Sequence, residues 1–231
     1  MKFLEFDDGR DFPYYNHNPS LSKTAWIVLL LLVPISLFAY ALISIFSEFI
    51  GSIVFCALLL IPLLYFSNWD VSLIFHKPSG NEIILAVLMF IGYMIYAIVV
   101  GGILDAFALG GVSDTVYDAV GIESIVSLVY SMMGEELVKF IPMMFFLRFF
   151  FKYTNNRRLS VVLSSVIIMI VFALLHYDPP YMPLISVLVL QGAGSIFEIY
   201  AYVKTKNLLI SYLSHLLTDV FIFVSLFLGV G

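Results

Sequence analysis

The feature that most constrains this chain is a series of long apolar stretches that runs from residue 25 almost to its end. A helix needs about 20 apolar residues to cross the hydrocarbon core of a bilayer. We predict seven such spans, at 25–46, 49–66, 83–104, 120–151, 159–176, 182–203 and 208–230. The chain is 62% hydrophobic and 12% charged, whereas a soluble domain carries about 25% charged residues. The sequence therefore predicts an all-α polytopic membrane protein and excludes an ordinary soluble globule.

The basic residues predict how the chain is threaded through the membrane. Ten of the eleven Lys and Arg residues lie before the first span or near the ends of spans two, four and six, which places all ten on the same side of the membrane. They are Lys2, Arg10, Lys23, Lys77, Arg148, Lys152, Arg157, Arg158, Lys204 and Lys206. Cytoplasmic loops are enriched in Lys and Arg, so we expect a cell-membrane protein with a cytoplasmic N-terminus and an outside C-terminus. The chain then divides into a cytoplasmic arm (1–24), a transmembrane scaffold (25–119) and a C-terminal core (120–231).

Charge and cysteine content narrow the class of function. A net charge of −5 gives little support for a nucleic acid partner, so membrane lipid is the first partner expected. The single cysteine, Cys56, excludes a disulfide framework and a cysteine-based metal site.

Seven ionisable residues lie inside the last four predicted spans, where each charge costs about 2.5–3.5 kcal/mol. They are Glu135, Glu136, Lys139, His176, Glu198, His215 and Asp219, and we call them the polar cluster. The first three spans carry almost none and are interpreted as scaffold. Residues of this kind normally face the interior of a helix bundle and pair there. We therefore predict a functional site within a four-helix core made by spans four to seven.

Helical spacing suggests how the polar cluster is arranged. Glu135 and Lys139 are four residues apart and share a helix face, whereas Glu136 is rotated by about 100° from Glu135. His215 and Asp219 are also four apart, so Asp219 could orient the histidine. A carboxylate from one helix and imidazoles from two others suit the activation of water.

The residues alone leave two kinds of water chemistry open. Glu135 could act as a general base without a metal, or His176 and His215 could hold zinc together with Glu135. No nucleophilic triad is evident, because Ser211 and Ser214 lack an activating partner. Glu198 is expected either to pack against a neighbouring helix or to line a substrate groove.

Three sequence blocks carry a family resemblance. GEELVKF at 134–140, FALLH at 172–176 and HLLTD at 215–219 resemble, in this order, the motifs of the CPBP family. These are the CAAX-protease and bacteriocin-processing intramembrane proteases of the Abi type. The resemblance covers about residues 120–225. The first block departs from the pattern, because the family's arginine would fall at Phe140. Glu-Glu-x-x-Lys, ending at Lys139, resembles the first block of the PrsW proteases instead.

The resemblance implies that 120–231 is a CPBP-like catalytic core of an intramembrane endopeptidase. The resemblance also implies that Glu135 activates the attacking water with help from His176, and that His215 with Asp219 polarises the scissile carbonyl. Glu136 and Lys139 support them. The implied substrate is a peptide or a prenylated or otherwise membrane-anchored protein, with no certain cofactor and zinc as the alternative. An ionised Asp219 cannot donate a hydrogen bond, so we expect it to act through His215.

Other interpretations remain open at this level. Glu135 and Lys139 could form a buried ion pair with a purely structural role, and His176 could be an interfacial histidine. The whole protein could be a non-catalytic membrane scaffold or a bacteriocin immunity protein. It could also be a proton-coupled carrier, although the absence of inverted repeats and of broken helices in the sequence counts against that class.

Overall fold

Seven long helices make up most of the part of the chain that the structure describes. The computed structural model describes residues 9–16, 21–110, 120–179 and 182–229, so Lys2 of the orientation argument lies outside the described residues. The helices are α1 (Lys23–Ser44), α2 (Glu48–Phe66), α3 (Gly80–Ala106), α4 (Ile122–Thr154), α5 (Arg157–Leu175), α6 (Leu184–Thr205) and α7 (Leu208–Phe227). The described ranges contain no β-strand. The predicted all-α polytopic membrane fold is confirmed, with every predicted span end within three residues of a helix end.

Helix α4 differs from the other six. Those six are long and apolar enough to cross a membrane by length and composition. Helix α4 has 33 residues but carries Glu135, Glu136 and Lys139 near its middle. It packs against α2, α5 and α7, and much of its surface is buried, including Glu136 and Lys139. Neighbouring helices therefore surround the charged part of α4, which places the polar cluster inside the bundle.

Two tight turns of the same design connect the helices of the C-terminal half. Asn155 and Lys206, the C-cap residues that follow α4 and α6, both adopt the left-handed conformation, with φ of 49° and 51°. The next residue in each case is an asparagine that caps the following helix: Asn156 accepts from the Leu159 amide, and Asn207 caps α7. Asparagine is among the preferred N-cap residues. The turns therefore fix α4–α5 and α6–α7 as antiparallel pairs.

Helix α6 is not a regular α-helix throughout. Its first turn, Leu184–Ser186, and its last part, Ile196–Thr205, are α-helical, but Val187–Ala193 forms a π-helix. This irregularity within the span was not predicted from the sequence. Gly192 allows the close approach of α5, because a Cβ atom there would lie 2.8 Å from the Ala173 Cβ and 2.9 Å from the Met169 carbonyl oxygen.

Residues 9–16 of the N-terminal arm pack against one end of the bundle. Arg10 forms an ion pair with Glu82 at 2.6 Å, and Tyr14 is buried with its hydroxyl 2.6 Å from Ser67 Oγ. The Arg148 guanidinium donates to the Tyr14 carbonyl oxygen at 3.3 Å. The arm thus contacts the α2–α3 connection and α4, so segments that were predicted to be cytoplasmic meet at the same end.

The environment of this arm segment changes the acidity of two of its side chains. Burial tends to raise the pKa of Asp11, but hydrogen bonds from Tyr15, Arg157 and the Phe12 amide outweigh it and leave that pKa below its usual value. Burial raises the pKa of the Tyr14 hydroxyl to about 12. Asp11 is therefore held as the ionised partner of Arg157, at 2.7 Å.

Candidate active site

A cavity of about 350 Å³ opens between α3, α4, α5, α6 and α7. Five members of the polar cluster line it: Glu135, His176, Glu198, His215 and Asp219. Glu136 and Lys139 lie directly behind this wall and are almost completely buried. The structure therefore brings together, around one cavity, all seven residues that were singled out from the sequence.

His215 lies at the centre of the polar cluster. Its Nδ1 is 2.9 Å from Glu136 Oε1, and a carboxylate oxygen only accepts hydrogen bonds, so Nδ1 donates. The other nitrogen, Nε2, lies 3.3 Å from Asp219 Oδ2 and 3.8 Å from Glu135 Oε2. Glu136 thus orients the ring through Nδ1, while Asp219, one helical turn after His215, contacts the nitrogen that faces the cavity.

Lys139 joins two carboxylates from different helices. Its ammonium lies 2.5 Å from Glu136 Oε1 and forms a second ion pair with Glu198 of α6. The Phe172 ring covers it, with Nζ 4.5 Å from the ring centroid. A Glu135–Lys139 ion pair is not found among the described residues. Lys139 pairs with Glu136 and Glu198 instead, whereas the Glu135 side chain lines the cavity and is 24% exposed.

Ser211 supports the buried side of the polar cluster. Its hydroxyl oxygen contacts Glu136 Oε2 and lies 2.9 Å from the Glu198 carbonyl oxygen. Both partners accept hydrogen bonds, so the hydroxyl proton is engaged by them. The side chain is also buried. Ser211 is thus a positioning residue for Glu136, in keeping with the absence of a serine triad in the sequence.

His176 is held at the C-terminal end of α5 by its own motif. Its Nδ1 lies 2.8 Å from the Phe172 carbonyl oxygen, and a carbonyl oxygen only accepts, so Nδ1 carries a proton. In the neutral ring the lone pair is therefore on Nε2. The Phe172 ring packs against the imidazole with ring centroids 4.6 Å apart. The spacing of phenylalanine and histidine in this block thus defines both the tautomer and the position of His176 at the cavity.

A possible metal site involves other residues than the sequence suggested. Within the described ranges, the side chains whose ligand atoms approach within 4.8 Å of one another belong to Glu136, Glu198 and His215. Glu135 and His176 are not in this group. The Lys139 ammonium already contacts both Glu136 and Glu198, and a divalent ion would have to displace it. The donor set therefore suits the ammonium better than a metal ion.

Comparison with known protein families gives a match in the C-terminal part of the chain. The family model for Rce1-like type II CAAX prenyl endopeptidases matches residues 122–221. This segment is similar to the Rce1-like family. It runs from the start of α4 through most of α7 and contains the whole polar cluster, so the resemblance to the CPBP proteases is confirmed. Rce1-like proteins are a protease family, which supports intramembrane protease activity in general. No curated protein and no solved structure matches the chain.

Two residues that line the cavity of the polar cluster were not predicted from the sequence. Tyr93 of α3 and Ser195 of α6 line it, although α3 was interpreted as scaffold. The signal in the sequence was small: Tyr93 and Tyr96 are two hydroxyl-bearing side chains in an otherwise apolar span. Helix α3 therefore contributes to the site as well as to the scaffold. The PrsW-like interpretation of Lys139 stays a prediction.

Proposed function

We propose that this protein is an intramembrane endopeptidase in which Glu135 activates the water that attacks a peptide bond. The observation that carries this proposal is the different surroundings of the two adjacent glutamates. Glu136 is buried in ion pairs and hydrogen bonds, whereas Glu135 faces the cavity and its nearest described partner is His215 Nε2, at 3.8 Å. Of these two adjacent glutamates, Glu135 therefore has the access and the free lone pairs that a general base needs.

The other members of the polar cluster suit the later steps of hydrolysis. Glu135 takes a proton from water as the oxygen attacks the carbonyl carbon. His215, when it carries a proton on Nε2, donates to the developing oxyanion while Glu136 at Nδ1 stabilises the imidazolium. The proton held by Glu135 then passes to the leaving amine as the C–N bond breaks. His176 Nε2 lines the same cavity and can relay that proton.

Lys139 has an electrostatic role in this scheme. It neutralises part of the negative charge of Glu136 and Glu198, which it contacts directly. A buried carboxylate without a partner is costly, so this cation permits two buried glutamates beside a third at the cavity. We infer that Lys139, which contacts Glu136 and Glu198, takes the place of the arginine of the related motif.

The proposed substrate is a prenylated or otherwise membrane-anchored protein. The family model that matches residues 122–221 is described as type II CAAX prenyl endopeptidase Rce1-like. The cavity of about 350 Å³ is within the range of about 300–1,000 Å³ typical of small-ligand sites. It suits an extended peptide segment better than a folded domain. Such a segment, in a substrate anchored in the bilayer, would reach the cavity from the membrane.

The test is cleavage by the purified full chain in liposomes, with a set of prenylated and unprenylated peptide reporters. We expect Glu135→Gln to reduce kcat by at least about 100-fold without lowering the thermal midpoint, because the amide keeps the shape of the side chain. Asp178→Asn is the matched control, since this carboxylate is exposed and outside the cavity. Its activity should equal that of the wild type.

Other outcomes would favour the rival functions. Unchanged cleavage by the Glu135→Gln variant would contradict the water-activation role. Absence of cleavage by a folded wild-type protein, across all reporters, would favour a non-catalytic scaffold or immunity protein. Loss of activity on chelation and its return with zinc would favour metal-assisted hydrolysis.

A further inference from the structure

A second and larger cleft, of about 730 Å³, lies between the start of α1 and the end of α4. It shares no lining residue with the cavity of the polar cluster. It lies at the end of the bundle where residues 9–16 pack, since Arg148 lines the cleft and also donates to the Tyr14 carbonyl oxygen. The cleft is therefore a separate feature from the candidate active site.

The rim of this cleft is positively charged. Lys23 of α1 and Arg148 and Lys152 of α4 line it, and within the described ranges none of the three forms an ion pair with a carboxylate. By contrast, Arg157 at the same end of the molecule is paired with Asp11. The N-terminus of α1 also lies at the rim, where its N-cap Ser22 lines the cleft, and it adds the positive end of a helix dipole. The rim therefore attracts an anion.

The rest of the cleft is apolar. Trp26, Ile27 and Leu30 of α1 line it together with Phe145 and Phe149 of α4, and the Trp26 and Phe145 rings contact each other with their centroids 5.7 Å apart. From Lys23 to Leu30 the helix rises about 10 Å, so the lining changes from cationic to apolar along the helix axis. Tryptophan is typical of the interface between the headgroups and the hydrocarbon. The cleft thus offers a site for an anionic group and an adjoining site for a hydrocarbon chain.

We propose that this cleft binds an anionic phospholipid. The phosphate lies among Lys23, Arg148 and Lys152, and an acyl chain runs along Trp26 and Phe145. Basic pockets between transmembrane helices are typical sites for anionic headgroups. A zwitterionic lipid would leave the cationic rim unbalanced, and free phosphate would leave the apolar part unfilled. The lipid would also join α1 to α4, and so couple the scaffold to the helix that carries Glu135.

The test uses Trp26 as a reporter of the lipid beside it. The chain has two tryptophans, so Trp69→Phe leaves Trp26 as the only one in the full-length protein. This protein is reconstituted in phosphatidylcholine vesicles that contain either brominated phosphatidylglycerol or brominated phosphatidylcholine. We expect brominated phosphatidylglycerol to quench Trp26 at lower mole fraction. Lys23→Gln with Lys152→Gln should reduce this preference by about fivefold or more, since each cation near the surface contributes roughly that factor.

The control variant also removes two positive charges at this end of the molecule, but outside the cleft. Lys77→Gln with Arg158→Gln changes two exposed cations outside the cleft, and the preference for phosphatidylglycerol should persist. Equal quenching by both brominated lipids in the unmodified background would overturn the proposal. So would an equal loss of preference in both double variants, or relief of the quenching by millimolar inorganic phosphate. Circular dichroism of each variant verifies that the helices are intact.

Discussion

At the scale of single residues, the side chains of the candidate site were predictable but their pairing was not. The cost of charge in a bilayer marks Glu136, Lys139 and Glu198 as residues that need partners. Which partner each one finds depends on how α6 and α7 pack against α4. Spacing along α4 favours Glu135 as the partner of Lys139, but Glu198 reaches it from a different helix. Local periodicity holds no information on such a contact.

The role of Lys139 can be tested by removing its charge. We expect Lys139→Met to lower the free energy of unfolding by about 3–5 kcal/mol, because it leaves buried carboxylates without their cation. Lys152→Met, on the exposed end of the same helix, should change it by less than about 0.5 kcal/mol. Unfolding is followed by circular dichroism during titration with a denaturing detergent, in micelles free of anionic lipid. Similar midpoints for the two variants would show that the ion pairs contribute little to stability.

At the scale of helices, the bounds of the spans were predictable and their irregularities were not. Apolar length located all seven helices, since the bilayer thickness sets that length. The π-helical segment Val187–Ala193 has no such signal, because its hydrogen-bond pattern depends on the fit between α6 and α5. The glycine pair at 192 and 194 was visible in the sequence. Only the packing shows that Gly192 lies against α5, whereas a Cβ atom on Gly194 would lie 2.8 Å from the Tyr93 ring of α3.

A second glycine controls how closely α2 approaches α4. A Cβ atom on Gly134 would lie 2.4 Å from the ring of Phe55, which is buried and stacked on Tyr40. We expect Gly134→Ala to destabilise the protein by about 1–3 kcal/mol, as overpacking does, and to reduce activity because Glu135 is the next residue. The free energy of unfolding and kcat are both measured.

The matched control for this substitution is Gly102→Ala on α3. Gly102 is exposed, and a Cβ atom added there would meet no neighbouring atom within 4 Å. Alanine there should be neutral or stabilise the helix by up to about 1 kcal/mol. If the two variants had the same stability, the contact between Gly134 and Phe55 would not limit the packing of α2 on α4.

At the scale of the whole molecule, the packing of the arm segment 9–16 was not predicted from the sequence. The segment was assigned to a cytoplasmic arm, and in the structure Phe12, Tyr14 and Tyr15 are buried. Tyr14 adopts a positive φ of 67°, which is uncommon for a bulky residue. Three aromatic side chains in a short polar segment were the available signal. The surface on which they pack is made by helices far away in the sequence.

The contribution of this arm segment can be measured at Tyr14. Ser67 Oγ donates to the Leu63 carbonyl oxygen at 2.6 Å, so the Tyr14 hydroxyl donates to Ser67. We expect Tyr14→Phe to cost about 0.5–1.5 kcal/mol, the value of one hydrogen bond. Tyr14→Ala should cost about 3–5 kcal/mol, as the loss of a buried aromatic ring does. Thermal midpoints in detergent, with limited proteolysis of the arm, compare them. Equal midpoints for both variants would mean that the ring itself adds no stability.

The composition of α4 has a consequence for how the protein is made. Lys139 and its partner Glu198 are 59 residues apart, so α4 is synthesised well before α6 exists. Until then its charges lack one of their partners, and each costs about 2.5–3.5 kcal/mol at the centre of a bilayer. Helix α4 is therefore a poor membrane span by itself during biosynthesis. Its stable insertion depends on the later arrival of α6, so the last helices to be translated complete the membrane integration of the helix that carries Glu135.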